Sequence, residues 1–363
     1  MTSPRLHWDI GTAYDLFISL HILHNPSDFD VRRSWAAGVR ARLPEQERET
    51  LEQSQLLGTV PFHWIHSLPE PKNGTTALWT LGQIPPAERL PTLAFGPEYP
   101  ACEVTEVYRA VAARGSYGDE DVKALQAAYE CMGEARPVPV KKLAGMLALW
   151  ADTEEFGERY LDALRAYHNA FFAEEERRIQ PALQKALSRA QELAKTMALP
   201  DLLEELSEGV RLDLSPQVEE VVLAPSYWVT PLIFFGSADE KRPMYVFGAR
   251  PPDASLIPGE TVPDALLRAL KALSDPTRLR ILHYLTGEPL TPAELARRLR
   301  LRAPTVTHHL KTLRLAGLVQ LTLSEEKEMR RYAARSEAVT AAFASLQGFL
   351  EEGGTVSLED ELK

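Results

Sequence analysis

The stretch APTVTHHLKTLRLAGLV, residues 303 to 319, places Thr, His and Lys where they could read a polyanion. Wound at about 100° per residue with Val306, Leu310 and Leu313 inward, it turns Pro304, His308 and Lys311 outward, with Thr305 and Thr307 on the flanks near its start. Such a face is short and polar, so it fits a DNA major groove that long apolar side chains would not enter. Arg297, Arg298, Arg300 and Arg302 precede it, and no Asp or Glu occurs from Arg297 to Leu323. The free amides of the helix start and Arg302 suit a phosphate, while Thr305, Thr307, His308 and Lys311 suit base edges. Other chemistries find less support. The chain has no Gly-rich phosphate loop, Gly-x-Ser-x-Gly elbow or Cys-x-x-Cys pair, so nothing nominates a nucleophile or a cofactor, and no enzyme is expected.

The elements that would hold this face announce themselves locally. Asp275-Pro276 and Thr291-Pro292 each pair a cap with a first-turn proline, and Gly317 supplies a left-handed stop after Ala316. Leu279, Leu282 and Leu285, then Leu295 and Leu299, then Val306, Leu310 and Leu313 give three helices one buried stripe each, a helix-turn-helix pattern. Beyond Gly317, LVQLTLSEEKEMRRYAA alternates apolar and polar residues about a polar turn and predicts a two-stranded wing. Arg330 and Arg331 at its end could meet the DNA backbone or a minor groove. A last helix from Ser336 to about Leu350 carries Val339, Ala342, Phe343, Leu346 and Phe349 with almost no charge, a stripe that needs a partner.

With LSDPTRLRIL and VTHHLKTLRLAGLV, residues 263 to 350 resemble the ArsR-type winged helix-turn-helix repressors. VVLAPSYWVTPLIFF, YVFGARPP, LFISLHILHNP and the spacing of Trp35 and Arg40 resemble a set of long bacterial ArsR-like regulators with a large N-terminal helical domain. The resemblance implies that the first and last helices of the module dimerise, through Leu266, Leu270, Val339, Phe343, Leu346 and Phe349. It also implies that the homodimer binds an inverted-repeat operator on double-stranded DNA. Family members that sense metals carry ligands on the helix before the recognition helix; here that helix reads PAELARRL, without Cys, His or Asp, so no metal and no cofactor is expected.

Charge and texture divide the rest. Residues 263 to 350 hold 14 Lys and Arg against 8 Asp and Glu, so +6; the remainder holds 26 against 43, so −17, and the chain nets −11. A basic module on an acidic body suggests that one end meets a polyanion while the other stays off it. Residues 11 to 207 read as mainly helical, with a long helix from Thr153 to Met197 kinked or broken at Pro181, and Glu174 to Arg178 as a solvated face. Strands are expected near 218–249, and the prolines between 251 and 263 form a stiff connector. The expected fold is mainly α (α+β): a body over 1–262, a winged helix-turn-helix over 263–350 and an acidic tail over 351–363. No apolar run is long enough to span a membrane and no leader is evident, so a cytoplasmic location is expected. Cys102 and Cys131 read as free thiols, and His21/His24 and His63/His66 as core or surface histidines rather than metal ligands. His168 reads as packed, and His309 as a buttress of its helix. Trp8, Trp35, Trp64, Trp79 and Trp228 either fill the core or line a pocket for a small organic effector. The expected function is a DNA-binding transcriptional regulator, a repressor, with that effector as a candidate partner. The alternatives are a constitutive architectural or protein-interaction regulator, and an enzyme tethered by its winged helix.

Overall fold

The computed structural model describes residues 4–58, 60–96, 103–131, 137–213, 218–324 and 330–353. The fold is mainly α with two small sheets. Prolines keep the helices of the first hundred residues short, from Thr12–His24 to Pro86–Ala94. Longer helices follow, Thr153–Tyr167 and Ala173–Leu193. The interruption between those two is a π turn at His168–Phe172, and Pro181 lies within the second helix without ending it. The extra residue of the π turn leaves both Phe171 and Phe172 buried beside Tyr167.

Four strands form the first sheet: β1 (Arg5–Trp8), β3 (Glu220–Ser226), β4 (Ile233–Ser237) and β5 (Pro243–Gly248), in the order β1-β3-β5-β4. β1, β3 and β5 run parallel, and β4 is antiparallel to β5. Both faces are covered, as a parallel sheet requires. Val222, Ala224, Met244 and Val246 point into the main helical core, and Val221, Leu223, Tyr245 and Phe247 pack with Leu199, Leu202, Leu203 and Leu206 of the helix Leu199–Leu206 on the other side. That alternation along Val-Val-Leu-Ala makes a run without polar breaks into a central strand. β1 was not expected from the sequence.

The C-terminal module has helices Asp264–Leu273, Pro276–Leu285, Pro292–Leu299, Ala303–Leu315 and Ser336–Gly353, and wing strands β6 (Val319–Ser324) and β7 (Arg330–Ala334). Asp275 accepts from the amides of Thr277 and Arg278 at 2.8 and 2.9 Å, and Thr291 with Glu294 closes a full capping box. Ile281, Leu282, Leu285, Leu295, Leu299, Val306, Leu310 and Leu313 form the core. Leu279, expected in that stripe, is 48% exposed, because the phase set by the Pro276 start turns Ile281 inward instead. Leu266, expected at a dimer interface, is 2% exposed within a single chain and has no surface to offer a partner. The wing tip at 325–329 and the acidic tail beyond Gly353 lie outside the described residues.

The body and the module share a sheet. β2 (Val210–Asp213), contributed by the body, pairs in parallel with β6, giving the order β2-β6-β7 with Val210 opposite Leu321 and Leu212 opposite Leu323. The chain reaches this strand through Gly209, whose φ of 109° lies in the left-handed region and where a Cβ would come within 2.8 Å of the Arg335 side chain and 3.3 Å of the Val319 carbonyl. Arg314, near the end of the helix Ala303–Leu315, is 6% exposed and donates to the carbonyls of Ser207 at 2.5 Å and of Glu208 and Pro231 at 3.3 Å. Burial pushes its pKa down to about 10, so it stays charged at neutral pH. Arg335 donates to the Glu208 and Gly317 carbonyls at 2.7 and 2.9 Å. Arg314→Met would leave the Ser207 and Pro231 carbonyls without this donor, while Glu208 keeps Arg335, and thermal or urea unfolding of that variant should show a loss of roughly 2–4 kcal/mol; a midpoint equal to that of the parent would show that the joint does not depend on this side chain.

Candidate nucleic-acid interface

The helix Ala303–Leu315 sits against the module core through Val306, Leu310 and Leu313, all fully buried, so its opposite face must look outward. Arg302, Pro304, Thr305, Thr307 and His308 are exposed there. The tight turn before it is made by Arg300 in the left-handed region (φ 57°), and no side chain caps the helix start; Pro304 has no N–H and the Thr305 amide donates to the Arg302 carbonyl at 3.0 Å, so the Ala303 amide is the one of the first turn that a phosphate could take. Thr307 donates to the Ala303 carbonyl at 3.0 Å and so keeps its acceptor lone pairs for a base or backbone. His309 turns back toward Asp275 and Arg278 and is half-buried; burial holds its pKa below the usual imidazole value. His308 is therefore the imidazole of this pair that faces solvent.

Three expected contacts are arranged less simply. Lys311 is exposed, but its ammonium forms an ion pair with Asp28 of the body. Arg331 donates to the Pro289 carbonyl at 2.9 Å and lies 3.9 Å from Glu294, so it braces the wing against the module, while Arg330 is exposed. Arg298 pairs with Glu288 at 2.5 Å, and Arg297, Arg300 and Arg302 stay exposed around the turn. On the last helix Val339, Leu346 and Phe349 are half-buried, and Phe343 and Leu350 are 58% and 64% exposed, an apolar face beside the helix Asp264–Leu273. Leu270 is half-buried.

The candidate residues of the body go to separate places. His21 packs edge-on to Phe29 and Phe234, His24 bonds the Leu20 carbonyl, and His63 bonds the Thr92 carbonyl. His66 instead joins Lys72 and Tyr14 around the buried Asp9, at 2.6, 2.6 and 2.7 Å. Burial pushes the Asp9 carboxyl up, and these three donors more than offset it, holding it below its usual value. Trp64 and Trp228 are buried, Trp35 stacks on Trp228, and Trp79 is 63% exposed. Cys131 is exposed, and Cys102 lies outside the described residues.

The Glu174–Arg178 run is a solvated face only at Glu174 and Arg177, which are exposed. Glu175 is 3% exposed, pairs with Arg178 at 2.6 Å and accepts from the Trp228 indole at 2.9 Å. Glu176 accepts from Thr12 and from the Gly74 amide, with His168 at 3.6 Å. Nearby Asp15 is fully buried; its Oδ1 accepts from Ser226 at 2.6 Å and from the Trp228 amide at 3.0 Å, and its Oδ2 has no partner among the described residues. A helical stripe pattern alone does not reveal such acids, because each is satisfied by residues distant in sequence.

Residues 5–223 match the model of a family of unknown function (DUF5937), and residues 273–322 match that of a helix-turn-helix domain. Among curated relatives, the transcriptional repressor SdpR of Bacillus subtilis is 39% identical over 49 residues, 14% of this chain and 54% of that protein. The HTH-type transcriptional regulator CmtR of Mycobacterium tuberculosis is 40% identical over 82 residues, 23% of this chain and 68% of that protein. The HTH-type transcriptional regulator YgaV of Escherichia coli is 39% identical over 79 residues, 22% of this chain and 78% of that protein. The match thus takes in about half of SdpR and two thirds or more of the other two. No helix among the described residues is long and apolar enough to cross a membrane.

Burial raises the Asp15 carboxyl to about 7, against roughly 3.9 in an unfolded chain. Between those values the folded state binds the extra proton, so this group lowers stability as pH rises toward 7. Asp15→Asn keeps the acceptor for Ser226 and Trp228 and removes the titration. Relative to the parent it should gain roughly 1–3 kcal/mol on going from pH 5 to pH 8 in denaturant titrations; parallel pH profiles for the two proteins would refute this.

Proposed function

We propose that this chain, which belongs to the DUF5937 family and carries an ArsR-like helix-turn-helix domain, is a transcriptional repressor that binds an inverted-repeat operator as a homodimer. The observation that carries the reading is the exposed face of Thr305, Thr307 and His308, held outward by a fully buried Val306, Leu310 and Leu313 and ringed by exposed arginines. Thr305, Thr307, His308 and Lys311 choose bases, and Arg302, Arg330 and the Ala303 amide bind phosphates. Arg331 reaches the backbone only where the wing leaves Pro289. Lys311 must leave Asp28, and an exposed pair of this kind is worth only about 0–1 kcal/mol, so the phosphate field of a duplex displaces it at little cost.

The apolar face of the last helix, with Phe343 and Leu350 largely exposed, is the surface on which two copies meet, together with Val339, Leu346 and Phe349 and, at its edge, Leu270. Leu266 is not part of it. Two recognition helices about 34 Å apart then face successive major grooves of one duplex face, and a small rotation of either prevents both from docking at once. The N-terminal body, residues 1–262, is positioned to supply that rotation when a small effector binds, because its strand β2 and its Ser207–Glu208 turn hold the module directly. No enzymatic step enters this reading.

Selection from random duplexes with the purified chain should return an inverted repeat whose half-sites are centred about one helical turn apart. Lys311→Glu combined with His308→Ala should abolish the retarded band on that duplex while the far-ultraviolet circular dichroism stays unchanged. Recovery of unrelated sequences, or undiminished binding by the double variant, would overturn the assignment.

A further inference from the structure

The cleft between body and module holds a charge arrangement that the fold leaves incomplete. Its walls are Trp228 to Leu232 and Arg250 from the body, and Asp264, Arg268 and Leu315 from the module. Arg250 is 7% exposed and Arg268 8%. Arg250 donates through Nη2 to the Thr230 carbonyl at 2.8 Å, and its Nη1 lies 3.2 Å from Asp264 without forming a hydrogen bond. Arg268 makes no hydrogen bond and no ion pair among the described residues, and its buried Nε has no acceptor. Asp264 is already engaged by Ser255 at 3.0 Å and the Leu256 amide at 2.8 Å. Arg32 at the rim is closed by Glu260 at 2.7 Å, and the exposed Asp30 and half-buried Glu208 act on Arg268 only through space, without a hydrogen bond to it.

A guanidinium removed from water and left without an acceptor is costly, and a second one beside it adds repulsion. Burial and the proximity of Arg268 together push the Arg250 pKa down to about 10. One bound anion would relieve all of this at once, because planar guanidinium forks match the two oxygens of a carboxylate or the edge of a phosphate. The cavity is small, with room for an oxyanion head and an opening to solvent for whatever is attached to it.

We propose that this cleft binds an oxyanion, carboxylate or phosphate, between Arg250 and Arg268, and that the effector of the regulator is a small anionic metabolite whose charged head sits there. The regulatory half of this statement rests on the DNA-binding reading; the binding half does not. The site spans the joint: Arg250 belongs to the body, Arg268 to the first helix of the module, and Leu315 on the cleft wall adjoins Arg314 at the end of the recognition helix. Binding there therefore adjusts the helix that reads the operator.

The test uses the full chain without DNA, titrated with sodium acetate and, separately, with inorganic phosphate, at ionic strength held constant with chloride. Tryptophan fluorescence, to which Trp228 on the cleft wall contributes, and the thermal midpoint are followed together. A saturable response to at least one anion is expected, and which one responds separates carboxylate from phosphate chemistry. Arg268→Met should raise the half-saturating concentration at least about tenfold, and Arg268→Lys should recover part of the loss. Both anions also stabilise proteins unspecifically by exclusion from their surface, but that effect does not saturate and is shared by the variants. A parent response that fails to saturate, or one that Arg268→Met and Arg250→Lys leave unchanged, would overturn the proposal. Should Arg268→Met not fold, the parent curve and the two lysine variants decide. A flat result removes the anion site and leaves the DNA-binding reading in place, since operator selection tests that separately.

Discussion

The arrangement of this molecule depends on the pairing of a four-residue strand, Val210–Asp213, with the wing strand Val319–Ser324, locked by Arg314 on the carbonyls of Ser207, Glu208 and Pro231. A winged helix linked to its body only by a Pro-rich connector would tumble on its own, and nothing bound to the body could be felt at the recognition helix. Here backbone hydrogen bonds and a buried guanidinium replace that freedom. The same helix that exposes Thr305, Thr307 and His308 at its start buries Arg314 near its end, so the reading surface and the anchoring point lie on one rigid rod of about three turns.

That geometry makes two kinds of interaction converge. Long-range charge separates the two parts: the module is net positive and the rest of the chain net negative, so a polyanion is drawn toward the module. Short-range polar contacts then set the angle between them, through Arg314, Arg335 and the Arg250–Asp264 pair. On the proposed reading, an effector acting in that second layer shifts the population of the tilt that spans both half-sites by its differential affinity for two tilts.

The parts of this fold that are set within a few residues of one another could be read in the sequence. The caps at Asp275 and Thr291, the stop at Gly317 and the core positions Val306, Leu310 and Leu313 are examples, because capping and stripe periodicity act over one to three turns. What depends on distant partners could not. β2 is only Val-Arg-Leu-Asp, and its partner lies more than a hundred residues onward. Glu175 and Glu176 look like a solvated run until Trp228, Thr12 and Gly74 are seen to meet them. The resemblance to ArsR-type repressors places Leu266 at a dimer interface, and the first helix of the module instead buries it within the chain. The helical break fell at the π turn rather than at Pro181, since proline in a long helix costs one backbone bond that tertiary packing can offset.

If the shared sheet joins body and module into one unit, the amide of Leu321, which donates to the Gly209 carbonyl at 2.7 Å across the joint, is protected by the same cooperative unfolding as the module core. Native-state hydrogen exchange followed by NMR compares it directly with the amide of Leu310, fully buried in that core. The account requires the two to exchange with similar free energies of opening. Rapid exchange at Leu321 while Leu310 stays protected would mean that the joint opens on its own, and that the body does not hold the recognition helix.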